Sequence, residues 1–270
     1  IEVTSHSLEL GRVEGIEFDI GIFTNLSQDH LDFHKTFENY RNAKGRLFTN
    51  SQVSIINIDD ENGKFMRDRA TKDVLEYGVS SSQSKVFARD IEVTQKGLSF
   101  KINISNRAIE VDIKTPGIFS VYNSLAAASA AYVLGIEDKY IKVGLESVYG
   151  IAGRFEQLDI DTDFSVIIDY AHTPDGLKNI LETAKGMSPE RLVILFGCGG
   201  NRDREKRPVM GKVAGQLADY CIITSDNPRK EDPMDIINDI LPGVQETDCP
   251  YIAIENRKEA IEYALSNAKP

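Results

Sequence analysis

The sequence predicts an α/β protein of two domains, the first carrying a small antiparallel sheet and the second wound as a Rossmann-like series. Three observations lead there. Short apolar runs alternate with helix-spaced segments in the first half. Between Val86 and Thr115 the apolar period drops to near-alternation. From Gly153 onward, strand-like and helix-like segments follow one another to the end of the chain. A length of 270 residues accommodates two domains, expected at 1–152 and 153–270.

In the first half, Phe18 to Phe23 and Val53 to Ile58 are apolar runs ending in polar residues, as buried strands of an α/β sheet read. Phe37 to Phe48 between them has helical spacing. The alternating stretch from Val86 is folded back by a Lys96-Gly97 turn and a Ser105-Asn106 turn, and an Ala-rich helix from Val121 to Leu134 is stopped by Gly135. In the second half the expected strands are Ser165 to Asp169, Leu192 to Phe196, Cys221 to Thr224 and Tyr251 to Ile254. The helices are Pro174 to Met187, Pro208 to Ala218, Pro233 to Leu241 and Lys258 to Ser266. Ligands of such folds gather at the carboxyl ends of the strands.

Composition narrows the function. A hydrophobic fraction of 41% and a charged fraction of 27% are those of an ordinary globular chain. The net charge of -11 argues against nucleic acid, whose phosphates call for a basic surface. No apolar run approaches a membrane span, so no membrane insertion is expected. Cys198, Cys221 and Cys249 are scattered and form no C-x-x-C pair, which argues against a disulfide framework or a zinc site and makes a reducing cytoplasm the default. The chain opens on Ile1-Glu2-Val3 and stops on Ala268-Lys269-Pro270, and both ends read as cut from a longer protein.

Six polar runs could carry chemistry. Asn25 to His34 packs Asp29, His30, Asp32 and His34 behind a strand, a donor set suited to Mg²⁺ or Mn²⁺; it also reads as a polar loop with an aspartate capping a helix. Glu2-Val3-Thr4-Ser5-His6 offers a carboxylate and hydroxyls for a metal or phosphate, or a helix cap. Lys44 is flanked by Ala43 and Leu47 and could face the strand-end site, although the sequence alone would not single it out. Asp169 to Asp175 runs from a strand end into a helix, with Thr173 able to cap and Pro174 fitted to the first turn. Gly197-Cys198-Gly199-Gly200 permits close backbone approach and then delivers Arg202, Arg204, Lys206 and Arg207, cations for phosphate or carboxylate; the spacing is not that of a nicotinamide site. Asp226-Asn227-Pro228-Arg229 combines an acceptor for an ammonium with a fork for a carboxylate, the partners of an amino-acid zwitterion, and reads equally as an Asn-Pro turn.

Taken together, Thr24 to Asp32, Asp169 to Asp175, Gly197 to Gly200 and Asp226 to Arg229 resemble the Mur ligases of peptidoglycan synthesis, over nearly the whole chain from Glu2 onward. The resemblance implies a central ATPase-type domain followed by the family's C-terminal domain, and a cytoplasmic, monomeric enzyme of cell-wall biogenesis. It implies the reaction as well: ATP phosphorylates the glutamate carboxylate of UDP-N-acetylmuramoyl-L-Ala-D-Glu, and the amine of an incoming amino acid attacks the acyl phosphate. Glu2 and His30 match family ligands of Mg²⁺, and Lys44 a lysine carried as a metal-binding carbamate, so that Lys44 and His30 stand as catalytic positions. Thr4 and Arg12 match contacts to the UDP-muramoyl dipeptide, while a further contact position is Leu10 here and is not carried over. Asn123, Arg154, His172 and Asp175 match the ATP site. Arg202, Asp226, Asn227, Pro228 and Arg229 match the amino-acid pocket, and relatives with the last arginine add meso-diaminopimelate.

One family signature is missing: no G-x-x-x-x-G-K-[ST] run occurs, and Asn62-Gly63-Lys64-Phe65 lacks both the first glycine and the hydroxyl. Because phosphoryl transfer rests on positioning and charge neutralisation, the 270 residues alone are expected to be inactive. The rival readings are a lysine-adding or folylpolyglutamate-type ligase of the same superfamily, and a non-catalytic ligand-binding piece.

Overall fold

A computed structural model describes residues 1–80, 84–94 and 97–269. The chain divides into two compact units, one of Ile1–Leu26 and His34–Gly150, the other of Ser27–Phe33 and Ile151–Pro270.

The first unit contains α1 (Ser5–Glu9), β1 (Phe18–Phe23), α2 (Leu31–His34, contributed in part by the other unit), α3 (Phe37–Thr49), β2 (Ser51–Asn57), α4 (Gly63–Arg69), β3 (Asp73–Gly78), β4 (Val86–Thr94), β5 (Gly97–Ile104), β6 (Arg107–Ile113), α5 (Ile118–Val133) and α6 (Asp138–Glu146). Its six strands lie in sequence order in one sheet. The expected antiparallel sheet is therefore not separate. Strands β1 to β4 pair in parallel and β4 to β6 antiparallel. Strands β3 and β4 meet only through Tyr77 with Val86 and Gly78 with Phe87. The end of one parallel strand thus abuts the start of the next.

Neighbouring residues of β2 show how the sheet is covered. Ile55 and Ile56 are both fully buried, on opposite faces of the strand. Ile55 joins Tyr77, Phe100, Ile102 and Leu125 of α5; Ile56 joins Phe23, Tyr40, Phe48 and Met66 of α3 and α4. The alternation in β6, buried at every second residue, leaves one face against α6 and α5 and the other exposed. The Ser105-Asn106 turn is present with φ of 46° and 71°, the left-handed pair that a two-residue hairpin needs. The expected Lys96-Gly97 turn falls on Lys96, which lies outside the described residues.

The second unit holds β7 (Glu156–Gln157), β8 (Ile167–Ile168), α7 (Pro174–Gly186), β9 (Val193–Phe196), α8 (Lys206–Leu217), β10 (Tyr220–Thr224), α9 (Pro233–Gln245), β11 (Tyr251–Ile254) and α10 (Arg257–Ser266). Strands β11, β10 and β9 form a parallel sheet with β10 central. The expected strand Ser165 to Asp169 does not join it. Only Ile167 and Ile168 pair, antiparallel to β7, because the Asp169 carboxylate takes the Phe155 and Ala171 amides at 2.7 and 2.6 Å and turns the chain away. Helix α9 was expected to stop before Pro242 but runs to Gln245. A proline there forgoes one backbone bond, and the packing of α8 on α9 carries the helix through. A Cβ at Gly243 would run into the Pro208 carbonyl, one at Gly211 into that of Ile240, and one at Gly215 into the Thr247 hydroxyl.

Candidate functional site

In the first unit the candidate residues sit around the start of the chain and α3. The Thr4 hydroxyl caps α1, accepting the Ser7 amide at 3.1 Å, so the capping reading of Glu2 to His6 describes its local role. Ser5 is buried and its hydroxyl pairs with His34 Nε2 at 2.9 Å. Lys44 reaches back from α3 and donates to the Val3 carbonyl at 3.4 Å. Burial pushes its ammonium pKa down, and the nearby Glu2 carboxylate opposes that only in part. A lysine so placed samples the neutral amine more readily than a solvated one. Glu2, Arg12 and Asn123 are exposed, Asn123 on α5.

The carboxyl ends of β1 and β2 are braced by a network that sequence reading missed. Asn57 donates to the Thr24 carbonyl at 2.7 Å, the Asp60 carboxylate accepts the Leu26 amide at 3.2 Å, and Asn62 donates to the Leu26 carbonyl at 3.3 Å. Asp59 takes the Val79 and Ser80 amides and the Tyr122 hydroxyl. The sequence signal was there, in the polar Asn57-Ile58-Asp59-Asp60 run behind an apolar strand.

In the second unit Asp29 is buried and meets three cationic or protonatable side chains: Lys206 at 3.0 Å, His30 at 3.6 Å and His172 at 3.7 Å. Burial alone would raise the Asp29 pKa. His172, Lys206 and His30 reverse that and hold the carboxyl well below the usual carboxylate range. His172 pairs through Nδ1 with the Tyr170 carbonyl at 3.0 Å and turns Nε2 towards Asp29, which raises its pKa. His30 holds a left-handed backbone with φ of 59°. Arg154 lies over the exposed ring of Tyr170 at 4.9 Å, and that ring meets the His172 ring at 5.2 Å. Thr173 caps α7 by accepting the Gly176 amide, with Pro174 in the first turn, and Asp175 accepts from Asn179.

The two loops of the expected amino-acid pocket lie side by side at the carboxyl ends of β9 and β10. The Gly200 amide donates to the Asn227 carbonyl at 2.9 Å, the Lys230 amide to the Asn201 side chain at 3.1 Å, and Arg229 to the Gly200 carbonyl at 2.7 Å. A Cβ at Gly200 would collide with the Pro228 carbonyl, and one at Gly197 with that of Thr224, which is why these positions are glycine. Asn201 and Arg229 both take left-handed backbones, φ 49° and 54°.

The cations after this glycine run divide sharply. Arg204 forms a two-pronged pair with Asp239, Lys206 is bound to Asp29, and the fully buried Arg207 grips Glu231 and Asp239. Three of the four are thus paired with carboxylates of the chain. Arg202 is exposed and, among the described residues, makes only a 3.4 Å bond to the Asn201 carbonyl. Asp226 and Asn227 are also exposed.

Among the described residues no group of three His, Cys, Asp or Glu side chains stands at metal-holding spacing. Of the expected set, Glu2 and Lys44 belong to the first unit and His30 clusters with the second. The three cysteines are free thiols, and Cys221 and Cys249, distant in sequence, bring their sulfurs to 3.7 Å. No helix among the described residues is long and apolar enough to cross a membrane.

The profile of the Mur ligase middle domain matches residues 1–131, and that of the Mur ligase glutamate ligase domain matches residues 153–270. The chain belongs to the Mur ligase family. Among its relatives is the UDP-N-acetylmuramoyl-L-alanyl-D-glutamate--2,6-diaminopimelate ligase of Caldanaerobacter subterraneus subsp. tengcongensis, 49% identical over the whole chain and 56% of that protein. The ligase of the same name from Clostridium botulinum is 46% identical over the whole chain and 56% of its own length. The chain therefore spans about half the length of the curated relatives it matches. A solved structure of such a ligase is 34% identical, with a TM-score of 0.62, over 99% of this chain and 56% of that one. A pseudomurein peptide ligase type C from Methanothermus fervidus, 22% identical with a TM-score of 0.79 over 99% of this chain and 61% of that one, shares the fold. For this Mur ligase chain the α/β architecture expected from the sequence stands, with the small antiparallel sheet of the first unit continuous with its parallel strands.

Proposed function

We propose that the protein carrying this chain is an ATP-dependent ligase that adds meso-diaminopimelate to UDP-N-acetylmuramoyl-L-Ala-D-Glu in peptidoglycan synthesis. The observation that carries the reading is the pair of loops at the carboxyl ends of β9 and β10. Arg202, Asp226, Asn227 and Arg229 are presented there on two loops tied together by backbone bonds, while the neighbouring cations are neutralised internally. Relatives named for 2,6-diaminopimelate, at 46 to 49% identity, support the same substrate.

The chain's residues take the following parts. Asp226 accepts from an ammonium of the incoming diamino acid, and the Arg202 and Arg229 guanidinium groups bind its carboxylates, with a planar fork suited to that group. Pro228 sets the turn that aims Arg229. Arg154, His172 and Asp175 form the nucleotide side of the second unit, Tyr170 offering an exposed ring beside the first two. Bound ATP supplies the phosphoryl group that activates the dipeptide carboxylate. The free amine then attacks the acyl carbon, phosphate leaves, and the amine proton is released. Thr4 and Arg12 contact the UDP-muramoyl dipeptide. Glu2, His30 and Lys44, the last as a carbamate, are the residues that would hold Mg²⁺, which would supply charge neutralisation at the phosphates. A cytoplasmic monomer of two domains, 1–152 and 153–270, fits this role.

Because the 270 residues contain no phosphate-loop sequence, the test is one of binding. Calorimetry with meso-diaminopimelate should give a saturable isotherm that Arg229→Ala abolishes, and L-lysine should give none. Equal binding of both would favour the lysine-adding alternative, and binding of neither would remove the pocket. Incubation with ¹³C-bicarbonate should give a carbamate resonance that Lys44→Arg lacks.

A further inference from the structure

Two residues of the amino-acid pocket occupy backbone conformations that side-chain-bearing residues seldom adopt, Asn201 and Arg229. Something must hold them there. The Asn201 amide donates to Glu231 Oε1, and that oxygen also accepts from Arg207 Nη2 at 2.9 Å. Glu231 Oε2 accepts from Arg207 Nη1, also at 2.9 Å. Arg207 Nη2 further donates to the Gly199 carbonyl at 3.3 Å, and Arg207 Nη1 to Asp239 of α9 at 2.8 Å. The guanidinium is wholly buried beneath the two loops. Glu231 itself ends the second loop, its amide bonded to the Pro228 carbonyl at 3.0 Å. One carboxylate therefore ties the glycine loop to the Asp226–Arg229 loop, and one guanidinium ties both to α9.

We propose that Glu231 and Arg207 are the positioning residues of the amino-acid site, acting through Asn201 and Gly199 to hold Arg202 and Arg229 in register with each other. Neither side chain need touch the amino acid. The inference rests on the reading of these loops as the diamino-acid pocket. Its consequence is that affinity for a ligand bearing two carboxylates depends on a buried ion pair beneath the pocket, because two cationic forks must be set at a fixed spacing at the same time.

The test compares Glu231→Gln with the double variant Arg207→Met/Glu231→Gln in the whole chain, by meso-diaminopimelate calorimetry and thermal melting. Glu231→Gln leaves the buried guanidinium with Asp239 as its one remaining carboxylate partner and should lower the melting temperature; the double variant removes both charges and should recover much of it. Both variants should bind meso-diaminopimelate at least about tenfold more weakly, the loss persisting when stability returns. Affinity that returns along with the melting temperature would make the pair a stability element only and overturn the proposal, as would unchanged affinity in Glu231→Gln. If the parent chain binds no diaminopimelate, the pocket reading itself fails and the proposal falls with it, an outcome distinct from either of the others.

Discussion

Replacing Arg207 with methionine removes a buried charge while keeping much of the side chain's volume, and the structure allows its cost to be worked out. Asp239 loses one donor but keeps the two-pronged Arg204 pair. Glu231 loses both guanidinium bonds and keeps only the Asn201 amide. In the native chain the bonded Arg207 guanidinium, ahead of the Asn201 amide and Arg204, holds the Glu231 carboxyl down to about 2. An ordinary glutamate titrates near 4.3, so the unscreened linkage is about 3 kcal/mol. The Glu231 side chain is 19% exposed, and solvent screening takes a share, leaving roughly 2 kcal/mol for the charge. Breaking a fully buried pair costs about 3–5 kcal/mol, so a loss of about 2–4 kcal/mol at pH 7 is expected. Because the folded carboxyl is depressed, its contribution is present above about pH 4.3 and disappears as pH falls towards 2. Urea denaturation followed by circular dichroism at pH 7 and pH 3 should therefore show a gap between parent and variant that narrows in acid. A gap of equal size at both values would mean that packing, and not charge, accounts for the loss, and the reasoning would be wrong.

Other outcomes follow from the same geometry. Gly243→Ala drives a methyl into the Pro208 carbonyl and within 2.7 Å of the Lys212 amide, both backbone, so α8 and α9 must separate; a loss of about 1–3 kcal/mol is expected in thermal melts. Asp59→Ala strands the Val79 and Ser80 amides and the Tyr122 hydroxyl, at a cost of about 1–3 kcal/mol by urea titration. It should also let Tyr122, held up to about 12 by burial and by Asp59, ionise at lower pH in an ultraviolet titration. Burial raises all three thiol pKa values, that of Cys198 to about 12. At pH 8 the folded chain should accordingly react slowly with a disulfide reagent, and urea should release three rapid equivalents, the number of cysteines in the sequence.

What was legible in the sequence were the features written in local periods. The apolar runs Phe18–Phe23, Val193–Phe196 and Tyr220–Thr224 became strands within a residue or two of the expected bounds, and Thr173 capped α7 as its placement before Pro174 suggested. Elements without a strong local period escaped. Helix α6 shows only one fully buried residue, Ile141. Strand β3 carries Asp73 and Glu76 in a six-residue run whose pairing is supplied by β2. Pro242 looked like a helix end because a local rule sees the missing donor. It cannot see Gly211 and Gly243 letting two helices approach closely enough to hold α9 together.

The run Arg202-Asp203-Arg204-Glu205-Lys206-Arg207 poses the same problem at the level of chemistry. Read along the chain, four cations offer themselves equally to a phosphate or carboxylate. Their partners Asp29, Glu231 and Asp239 are 24 to 177 residues away, and no local pattern reports which cation will be neutralised. Folding sorts them by depth: Arg207 and Lys206 go inward to carboxylates, Arg204 is held at the surface by Asp239, and Arg202 stays exposed with no carboxylate partner among the described residues. A buried cation must find a carboxylate or pay heavily in lost solvation, whereas an exposed one has no such obligation. On the proposed reading of the loops, the motif supplies one arginine for a ligand and three cations for the scaffold that aims it. That division predicts opposite signatures for neighbouring substitutions. Arg202→Ala should weaken ligand binding with little change in melting temperature, while Lys206→Met should lower the melting temperature first. If both substitutions lowered stability equally, the division of labour within this run would not hold.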